Sequence, residues 1–147
     1  DTLLIVDSAE PNNVFRVAST VGTRLPLHCT SQGKAILAYD DPANVRRLLK
    51  RAGMKSYTMH TLKTAEAYLA QLEEIRRTGI ATEYEEYHNG MCAFAAPVFD
   101  HEGTCVSAVG IVCFLRSGDP NSAVSDETIQ ALKNTAEAIS TELGWHG

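Results

Sequence analysis

The hydrophobic pattern of this chain is centred on residues 92–115, which read CAFAAPVFDHEGTCVSAVGIVCFL. Two apolar runs, Cys92–Phe99 and Thr104–Leu115, flank the polar tetrapeptide Asp100–Gly103. Short apolar runs that are rich in Val, Ile and Phe and are joined by an Asp…Gly turn predict a β-hairpin. The second run is apolar on both of its alternating faces, so the sheet must be covered on both sides. We expect helices on one side and a cavity on the other.

Two helices are predicted in the first third of the chain. The first begins near Thr30 or Ser31, because either hydroxyl can cap it, and stops at Asp40. The second runs from about Pro42, which is a favourable residue for a first turn, to Gly53.

Two further helices are predicted from the spacing of apolar residues. The third begins after Thr64 and ends at Gly79, which suits the left-handed stop of a helix. The last is capped by Ser125 and ended by Gly144. Its apolar residues recur three and four positions apart and must pack on another part of the fold; they are Ile129, Leu132, Ala136, Ile139 and Leu143.

The remaining segments predict strands and loops. We expect Leu3–Val6 and Val14–Thr20 to be strands, and Val21–Leu27 to be a loop because it contains Gly and Pro. Ile80–Tyr87 predicts an exposed or edge strand, and Arg116–Ser125 predicts a polar loop. Blocks of strands and helices in this order predict an α+β fold with an antiparallel sheet.

Composition is typical of a single domain. The 147 residues are 44% hydrophobic and 21% charged, which allows a proper core. A net charge of −5 argues against nucleic-acid contact by this stretch, since phosphate binding needs clustered Lys and Arg. No segment approaches the roughly 20 apolar residues of a membrane span, and no signal peptide is visible, so we expect no membrane partner. The chain starts without Met, and we expect it to be a fragment of a longer protein.

The four cysteines argue against a metal site. None forms a C-x-x-C pair and no ordered set of His accompanies them, so we expect no zinc and no other cofactor. Three of them lie in apolar, strand-like runs, where a free Cys behaves as a small core residue. A reduced, cytoplasmic protein fits this pattern best. The four are Cys29, Cys92, Cys105 and Cys113.

Two groups of residues are candidates for catalysis. Cys29 follows His28, which suggests an activated thiolate, but neighbours in sequence rarely face each other and a buried structural Cys is favoured. Glu83 and Glu85 fall on one strand face and suggest acid–base chemistry. Solvated edge-strand charges explain these two and Glu86 more simply. Because Glu83 precedes the apolar hairpin, we retain it as a residue that projects into a cavity.

Binding is favoured over catalysis by the residues alone. Residues 31–34, SQGK, resemble part of a phosphate loop but lack its first Gly and its spacing. At a helix start they offer free N–H groups that suit a carboxylate or another anion. The sequence has no nucleophile elbow and no dinucleotide-binding motif, so we expect a sensor or binding domain.

Two longer motifs resemble the IclR-type transcriptional regulators. Arg24–Ala38, RLPLHCTSQGKAILA, is similar to that family's R-x-P-L-H-x-T-x-x-G-K-A-x-L-A element. Arg76–Gly103 is similar to its R-x-x-G-Y-A-x-D-x-E-E-x-x-x-G-x-x-C-I-A-A-P-V-x-D-x-x-G element. The resemblance implies that residues 1–147 form one effector-binding domain, a GAF-like α+β fold whose antiparallel sheet is flanked by helices. It also implies that the winged helix-turn-helix DNA-binding domain, and a first helix and strand before Leu3, are absent from this chain.

The resemblance also implies a binding pocket. Its helix-start amides fall at Ser31 and Gln32, and the usual Asp of the strand falls at Glu83. The pocket Cys falls at Ala93, because Cys92 is one residue early and is expected to point the other way. Two Ser positions fall at Gly110 and Val112, and the apolar wall falls at Val14, Val17, Leu25 and Met91.

Three of these positions depart from the family pattern. Members that bind small oxo-acids use Cys and Ser as donors where this chain has Ala93, Gly110 and Val112. A two- or three-carbon acid would be poorly satisfied there, because buried carboxylate oxygens need donors. We expect an aromatic or bulkier, partly apolar effector, hydroxylated or acidic, with Glu83 accepting a hydrogen bond from a hydroxyl or amine. The alternative is that the three residues simply fill a smaller pocket.

Two other functions remain open at this point. The resemblance implies a regulator, either activator or repressor, that is not an enzyme and acts as a homodimer or homotetramer. The first alternative is a ligand-free oligomerisation domain that uses the apolar stripe of the last helix. The second is a small catalytic domain that uses Cys29 or the Glu83/Glu85 pair. A filled core without a cavity behind Ala93 and Gly110 would favour oligomerisation.

Overall fold

The computed structural model describes residues 2–10, 20–115 and 123–147. Over these ranges the strands pair antiparallel and helices flank them, so the predicted α+β class is confirmed. No helix of the described ranges is long and apolar enough to cross a membrane. In chain order the elements are β1 (Thr2–Leu4), β2 (Arg24–Pro26), α1 (Ser31–Leu37), α2 (Pro42–Ala52), α3 (Ala65–Thr78), β3 (Ala81–Tyr84), β4 (Met91–Phe99), β5 (Cys105–Phe114) and α4 (Asp126–Glu142).

All four predicted helices are confirmed, and each begins at a side chain that caps it. The Thr30 hydroxyl accepts a hydrogen bond from a backbone N–H of α1, and Asp41, Thr64 and Ser125 do the same for α2, α3 and α4. α3 ends at Gly79, whose φ of 70° is the left-handed conformation that Gly adopts readily. These boundaries could be predicted because short polar side chains satisfy the free N–H groups of a first turn.

The predicted hairpin is confirmed as β4 and β5, which pair antiparallel with a register shift at Val98/Phe99. α1 packs on one face of this pair and α4 packs on the other. The prediction of helices on one side only is wrong, because the cavity lies beside α1 on a face that this short helix covers in part. Cys92 belongs to the same core cluster as Leu132 of α4, whereas Ala93 faces a cavity on the α1 side. The predicted opposite orientation of these two neighbours is therefore confirmed.

The segment before α1 differs from the prediction. The sequence predicts a loop over Val21–Leu27, but Arg24–Pro26 forms β2 and pairs antiparallel with β1, with Leu3 opposite Leu25. The loop prediction is wrong because the backbone groups of β1 need hydrogen-bond partners, and β2 supplies them. The predicted strand Val14–Thr20 lies outside the described residues, except for Thr20.

β3 is shorter than predicted, and two of its nearby carboxyl groups are buried. The strand ends at Tyr84 because Glu85 has a φ of 53°, which is not an extended conformation. The alternation that put Glu83 and Glu85 on one face therefore stops at this point. Glu83 and Glu86 are only 5% and 6% exposed. The prediction of solvated edge-strand charges is wrong for both residues.

A fully buried ammonium group connects α1 to three other parts of the fold. Lys34 of α1 donates to Gln71 Oε1 of α3 at 2.7 Å and to the carbonyl of Thr82 in β3 at 3.1 Å. It also forms an ion pair with Glu86, just beyond β3. Burial lowers the pKa of Lys34 and raises the pKa of Glu86, because each charged form has lost its water. The hydrogen bonds and the ion pair of Lys34 thus fix the positions of α1, α3 and β3 relative to one another.

The apolar stripe of α4 is buried over only part of its length. Leu132 and Ala136 are buried against the sheet, as predicted for a stripe that must pack. Ile139 and Leu143 are 40% and 45% exposed, so the C-terminal part of the stripe is not covered by the described residues. Most of the predicted loop Arg116–Ser125, which precedes α4, lies outside the described residues.

The close contact between α1 and the segment before it makes Gly33 intolerant of a side chain. A Cβ at Gly33 would lie 2.2 Å from the carbonyl oxygen and 2.6 Å from the Cα of Leu27, and backbone atoms cannot move aside cheaply. We expect Gly33→Ala to lower the free energy of unfolding by about 3 kcal/mol or more. Urea denaturation measures this loss. Gly79→Ala is the control: it has open space and a positive φ, so it should cost roughly 1–2 kcal/mol. If the two variants lost the same free energy of unfolding, close contact with Leu27 would not be the cause of the loss at Gly33.

The Lys34–Glu86 pair should be costly to break. We expect Lys34→Met to lower the free energy of unfolding by about 3–5 kcal/mol, because it leaves the Glu86 carboxylate buried without its cation. Urea denaturation at neutral pH measures the loss, and Lys34→Met/Glu86→Leu should recover much of it. The exposed Arg46–Glu66 pair provides the control, since Arg46→Met should cost only about 0–1 kcal/mol. A double variant as unstable as Lys34→Met would show that the unpaired charge is not the cause.

Candidate functional site

A cavity of about 270 Å³ lies on the α1 side of the sheet. Three parts of the fold enclose it: the β1–β2 pair with the turn beside it, the start of α1, and the three-stranded sheet with the turn that follows β3. The described residues of its wall are Ile5, Thr20, Thr23, Leu25, Thr30, Ser31, Gln32, Glu83, Tyr87, His88, Met91, Ala93 and Val112.

The sheet contributes one row of side chains to this wall. Strand register sets Glu83 of β3 opposite Ala93 of β4, and Ala93 opposite Val112 of β5. Directly opposed residues in antiparallel strands point to the same face, so the three side chains lie side by side. Met91 is two residues before Ala93 on β4 and shares that face. The sheet therefore presents one carboxyl group in an otherwise apolar surface.

Glu83 is the buried carboxyl group of the cavity. Its Oε1 accepts hydrogen bonds from the backbone N–H groups of Glu86 at 2.5 Å and Tyr87 at 3.2 Å. Its second oxygen accepts no hydrogen bond from any residue that the structure describes. Burial raises the pKa of Glu83 to about 7, although the two N–H groups act in the opposite direction; the Glu86 carboxylate adds to the rise and Lys34 opposes it. Near neutral pH this group can either accept or donate a proton.

A sharp turn at residues 85–88 gives Glu83 its two N–H partners. Glu85 has a positive φ, and its own N–H donates to the carbonyl of Met91 at 2.8 Å. Its carboxylate accepts from the N–H of Gly90 at 2.7 Å and so folds away from Glu83. The chain consequently returns over the end of β3, which brings the N–H groups of Glu86 and Tyr87 to Glu83.

The start of α1 supplies polar side chains opposite the sheet. The Thr30 hydroxyl donates to the carbonyl of Pro26 at 2.7 Å and accepts from Gly33 N–H at 3.4 Å, so the helix cap already uses it. The Ser31 hydroxyl donates to Gln32 Oε1 at 3.2 Å. Each of these two side chains has remaining hydrogen-bonding capacity. Ser31 Oγ has already given its proton to Gln32 and can still accept, whereas Gln32 Nε2 is a side-chain donor at this wall.

Gly110 is not part of the described cavity wall. A Cβ at Gly110 would lie 2.4 Å from Gln32 Nε2 and 2.8 Å from Gln32 Cδ, so the Gln32 side chain occupies the space beside this glycine. Gly110 is predicted to line the pocket, but the Gln32 side chain covers it. The glycine instead allows an amide from α1 to lie directly on β5.

Seven of the ten residues predicted to form the pocket lie at this cavity: Ser31, Gln32, Glu83, Met91, Ala93, Val112 and Leu25. Val14 and Val17 lie outside the described residues. Sequence reasoning missed six wall residues, which are Ile5, Thr20, Thr23, Thr30, Tyr87 and His88. Thr23 belongs to the segment predicted as a loop, and Tyr87 and His88 follow the turn at Glu85, which no sequence pattern indicated.

The geometry does not favour the catalytic alternatives. Cys29 is fully buried, and burial together with the Glu83 and Glu86 carboxylates raises its pKa to about 12, so it is a thiol and a poor nucleophile at neutral pH. The Glu83/Glu85 pair is divided by the turn at Glu85. Within the described ranges, no group of three His, Cys, Asp or Glu side chains is placed to hold a metal ion.

The chain matches the family model described as "Bacterial transcriptional regulator IclR C-terminal" over residues 1–141. It is 31% identical to the HTH-type transcriptional regulator KdgR of Dickeya chrysanthemi over 147 residues, which are 99% of this chain and 47% of that protein. The chain spans about half the length of the curated relatives it matches.

Solved structures give the same family. The IclR protein of Thermotoga maritima superimposes with a TM-score of 0.82 at 31% identity, over 95% of this chain and 56% of that one. The inducer-binding domain of PobR from Acinetobacter, a double mutant in complex with 3-hydroxybenzoic acid, superimposes with a TM-score of 0.78 at 26% identity, over 93% of this chain and 85% of that one. Sequence and structure agree, and the chain belongs to the IclR family of bacterial transcriptional regulators, as their C-terminal domain.

Proposed function

We propose that this domain binds a small organic effector in the cavity around Glu83. The bound effector modulates operator binding by a winged helix-turn-helix domain elsewhere in the full regulator. The observation that carries the proposal is a buried carboxyl group with one uncommitted oxygen, facing a cavity of about 270 Å³. The free oxygen of Glu83 keeps its capacity to accept a hydrogen bond, and a ligand in the cavity would supply the donor.

The effector is aromatic or otherwise partly apolar, and carries a hydroxyl or amine together with an acidic group. The apolar part packs against Leu25, Ala93 and Val112. Glu83 accepts a hydrogen bond from the hydroxyl or amine, and the backbone N–H groups of Ser31 and Gln32 at the start of α1 donate to the acidic group. The complex of PobR with 3-hydroxybenzoic acid supports this ligand class, because that compound combines a ring, a hydroxyl and a carboxylate.

The size and charge of the cavity support the same ligand class. Its volume is slightly below the roughly 300–1,000 Å³ of pockets for drug-sized ligands, which favours a compound with a single ring. No Lys or Arg is among the described wall residues. A two- or three-carbon oxo-acid would bring a full charge with little apolar surface to a wall that has few donors.

The domain acts within a homodimer or homotetramer in the cytoplasm. The exposed C-terminal half of the α4 stripe, Ile139 and Leu143, is an apolar surface that suits a subunit contact. The four free thiols suit a reducing compartment. The cavity beside Ala93 weakens the alternative of an oligomerisation domain that binds no ligand, because that alternative predicts a filled core.

Ligand binding is tested by thermal unfolding with 3-hydroxybenzoate as the probe. We expect saturating probe to raise the melting temperature of the 147-residue chain, since a hundredfold excess over Kd stabilises the fold by about 2.7 kcal/mol. Glu83→Gln should weaken binding roughly 10- to 100-fold, because it replaces a charge-assisted hydrogen bond by a neutral one. Glu85→Gln is the matched control and should bind as wild type, because its carboxylate faces Gly90.

Sugar acids and glyoxylate are included in the same series. A shift with glyoxylate alone would contradict the proposed ligand class while keeping the cavity as a binding site. Equal affinity of wild type and Glu83→Gln for the probe would show that Glu83 does not bind it.

The affinity for the probe should depend on pH. The pKa of Glu83 is raised to about 7. Oε1 already accepts two N–H groups, so protonation puts an O–H donor on the free oxygen, and the ionised form is the better acceptor of the hydroxyl hydrogen bond. Binding therefore releases a proton and strengthens as pH rises. Between pH 6 and pH 8 the ionised fraction grows about tenfold, and the affinity should rise about tenfold. Isothermal titration calorimetry measures this. Because His88 also lines the cavity, the series is repeated with His88→Asn. An affinity that falls with rising pH would mean that protonated Glu83 donates to the acidic group instead.

A further inference from the structure

The loop between α2 and α3, residues 53–64, contacts the turn at residues 85–88 but contributes no side chain to the described cavity wall. Thr61 is 3% exposed, and its hydroxyl donates to the carbonyl of Glu86 at 2.6 Å. The Thr58 hydroxyl donates to the carbonyl of Glu85 at 2.5 Å. Two threonines from a distant part of the sequence therefore hold two consecutive carbonyls of this turn.

Each of these carbonyls shares a peptide plane with an N–H group that binds Glu83. The Glu85 carbonyl belongs to the same peptide unit as the Glu86 N–H, and the Glu86 carbonyl belongs to the same unit as the Tyr87 N–H. Because peptide units are planar and trans, fixing the direction of a carbonyl fixes the opposite direction of its N–H. Both N–H groups donate to Glu83 Oε1. The two hydroxyls thus orient the Glu83 carboxyl through two rigid units.

Hydrogen bonds within the loop orient the Thr61 hydroxyl for this contact. Thr61 Oγ1 accepts from the N–H groups of Tyr57 and Thr58, both at 3.0 Å, so its one proton is directed to Glu86. The Tyr57 ring contacts the Tyr87 ring edge to face at 5.0 Å between centroids, and Tyr87 is a cavity residue. A hydroxyl that accepts two N–H groups has little freedom to turn elsewhere.

We propose that Thr58 and Thr61 are positioning residues of the effector site, which set the orientation of the Glu83 carboxyl through the peptide units of the 85–88 turn. The effect on a ligand rests on the proposed function, whereas the effect on Glu83 does not. The side chain of Glu86 is held separately by Lys34, so loss of one threonine hydroxyl should tilt a peptide plane without unfolding the turn.

The test is the titration of the Glu83 carboxyl, followed by carbon-13 NMR in the 147-residue chain without added ligand. The carboxyl signal of Glu83 is assigned by its absence from the spectrum of Glu83→Gln. Thr61→Val keeps the side-chain shape but removes the hydroxyl, so the Tyr87 N–H should turn from Glu83. N–H donors favour the ionised carboxyl, and the midpoint should rise by about one pH unit. Thr61→Ser should restore the wild-type midpoint, and Thr58→Val should raise it through the Glu86 N–H.

Thr78→Val is the matched control. Its hydroxyl also donates to two backbone carbonyls, those of Glu74 and Ile80, but it lies at the other end of β3. The Glu83 midpoint should not move in this variant. Dispersed amide spectra establish that each variant is folded, and Thr58→Val provides the decisive measurement if Thr61→Val does not fold.

The ligand measurement is made separately with 3-hydroxybenzoate at pH 7. A midpoint raised by one unit lowers the ionised fraction about fivefold, so Thr61→Val should bind about fivefold more weakly and Thr61→Ser as wild type. An unchanged Glu83 midpoint in folded Thr61→Val and Thr58→Val overturns the positioning role, whatever the affinity. A raised midpoint with no probe binding by wild type supports the positioning role and contradicts the proposed ligand class.

Discussion

The arrangement of this domain depends on the burial of a single ammonium group. A buried cation is tolerated only when its protons are satisfied, and Lys34 finds its three acceptors on α3, on β3 and on the turn after β3. None of these elements adjoins α1 in sequence. The lysine therefore acts as a distance constraint among four segments, and the cavity is the space that remains beside them on the α1 face of the sheet.

One cation among two buried carboxyl groups explains the chemistry of the site. Lys34 pairs with Glu86, so Glu83 is stabilised by two backbone N–H groups and by a weaker, longer-range attraction to the lysine. Backbone donors compensate only part of the burial, and the pKa of Glu83 rises to about 7. The carboxyl group that faces the cavity is thus the one without a full counter-charge. A ligand that brings a hydrogen-bond donor supplies the partner that the second oxygen of Glu83 lacks among the described residues.

The features that the sequence predicts correctly depend on interactions between residues that are close together in the chain, and those it misses depend on distant residues. Helix caps and the hairpin depend on residues within a few positions of each other, and Thr30, Thr64 and Ser125 were recognisable on that basis. The burial of Glu83 and Glu86 depends on Lys34, about fifty residues earlier, and on a positive φ at Glu85 that is unusual for a glutamate. The family resemblance indicated seven positions that lie at the cavity, but it carried no information about Gln32 covering Gly110.

The contact between Gln32 and Gly110 changes what the departures from the family pattern mean. The resemblance puts hydroxyl donors on β5, and their replacement by Gly110 and Val112 suggested a loss of polarity. The glycine instead admits the Gln32 amide, which a Cβ at that position would displace. The polar group beside Gly110 therefore comes from α1 and not from β5, while Ala93 and Val112 keep the sheet surface apolar. Donors on one wall and apolar surface on the other suit a ring that carries an acidic group at one end.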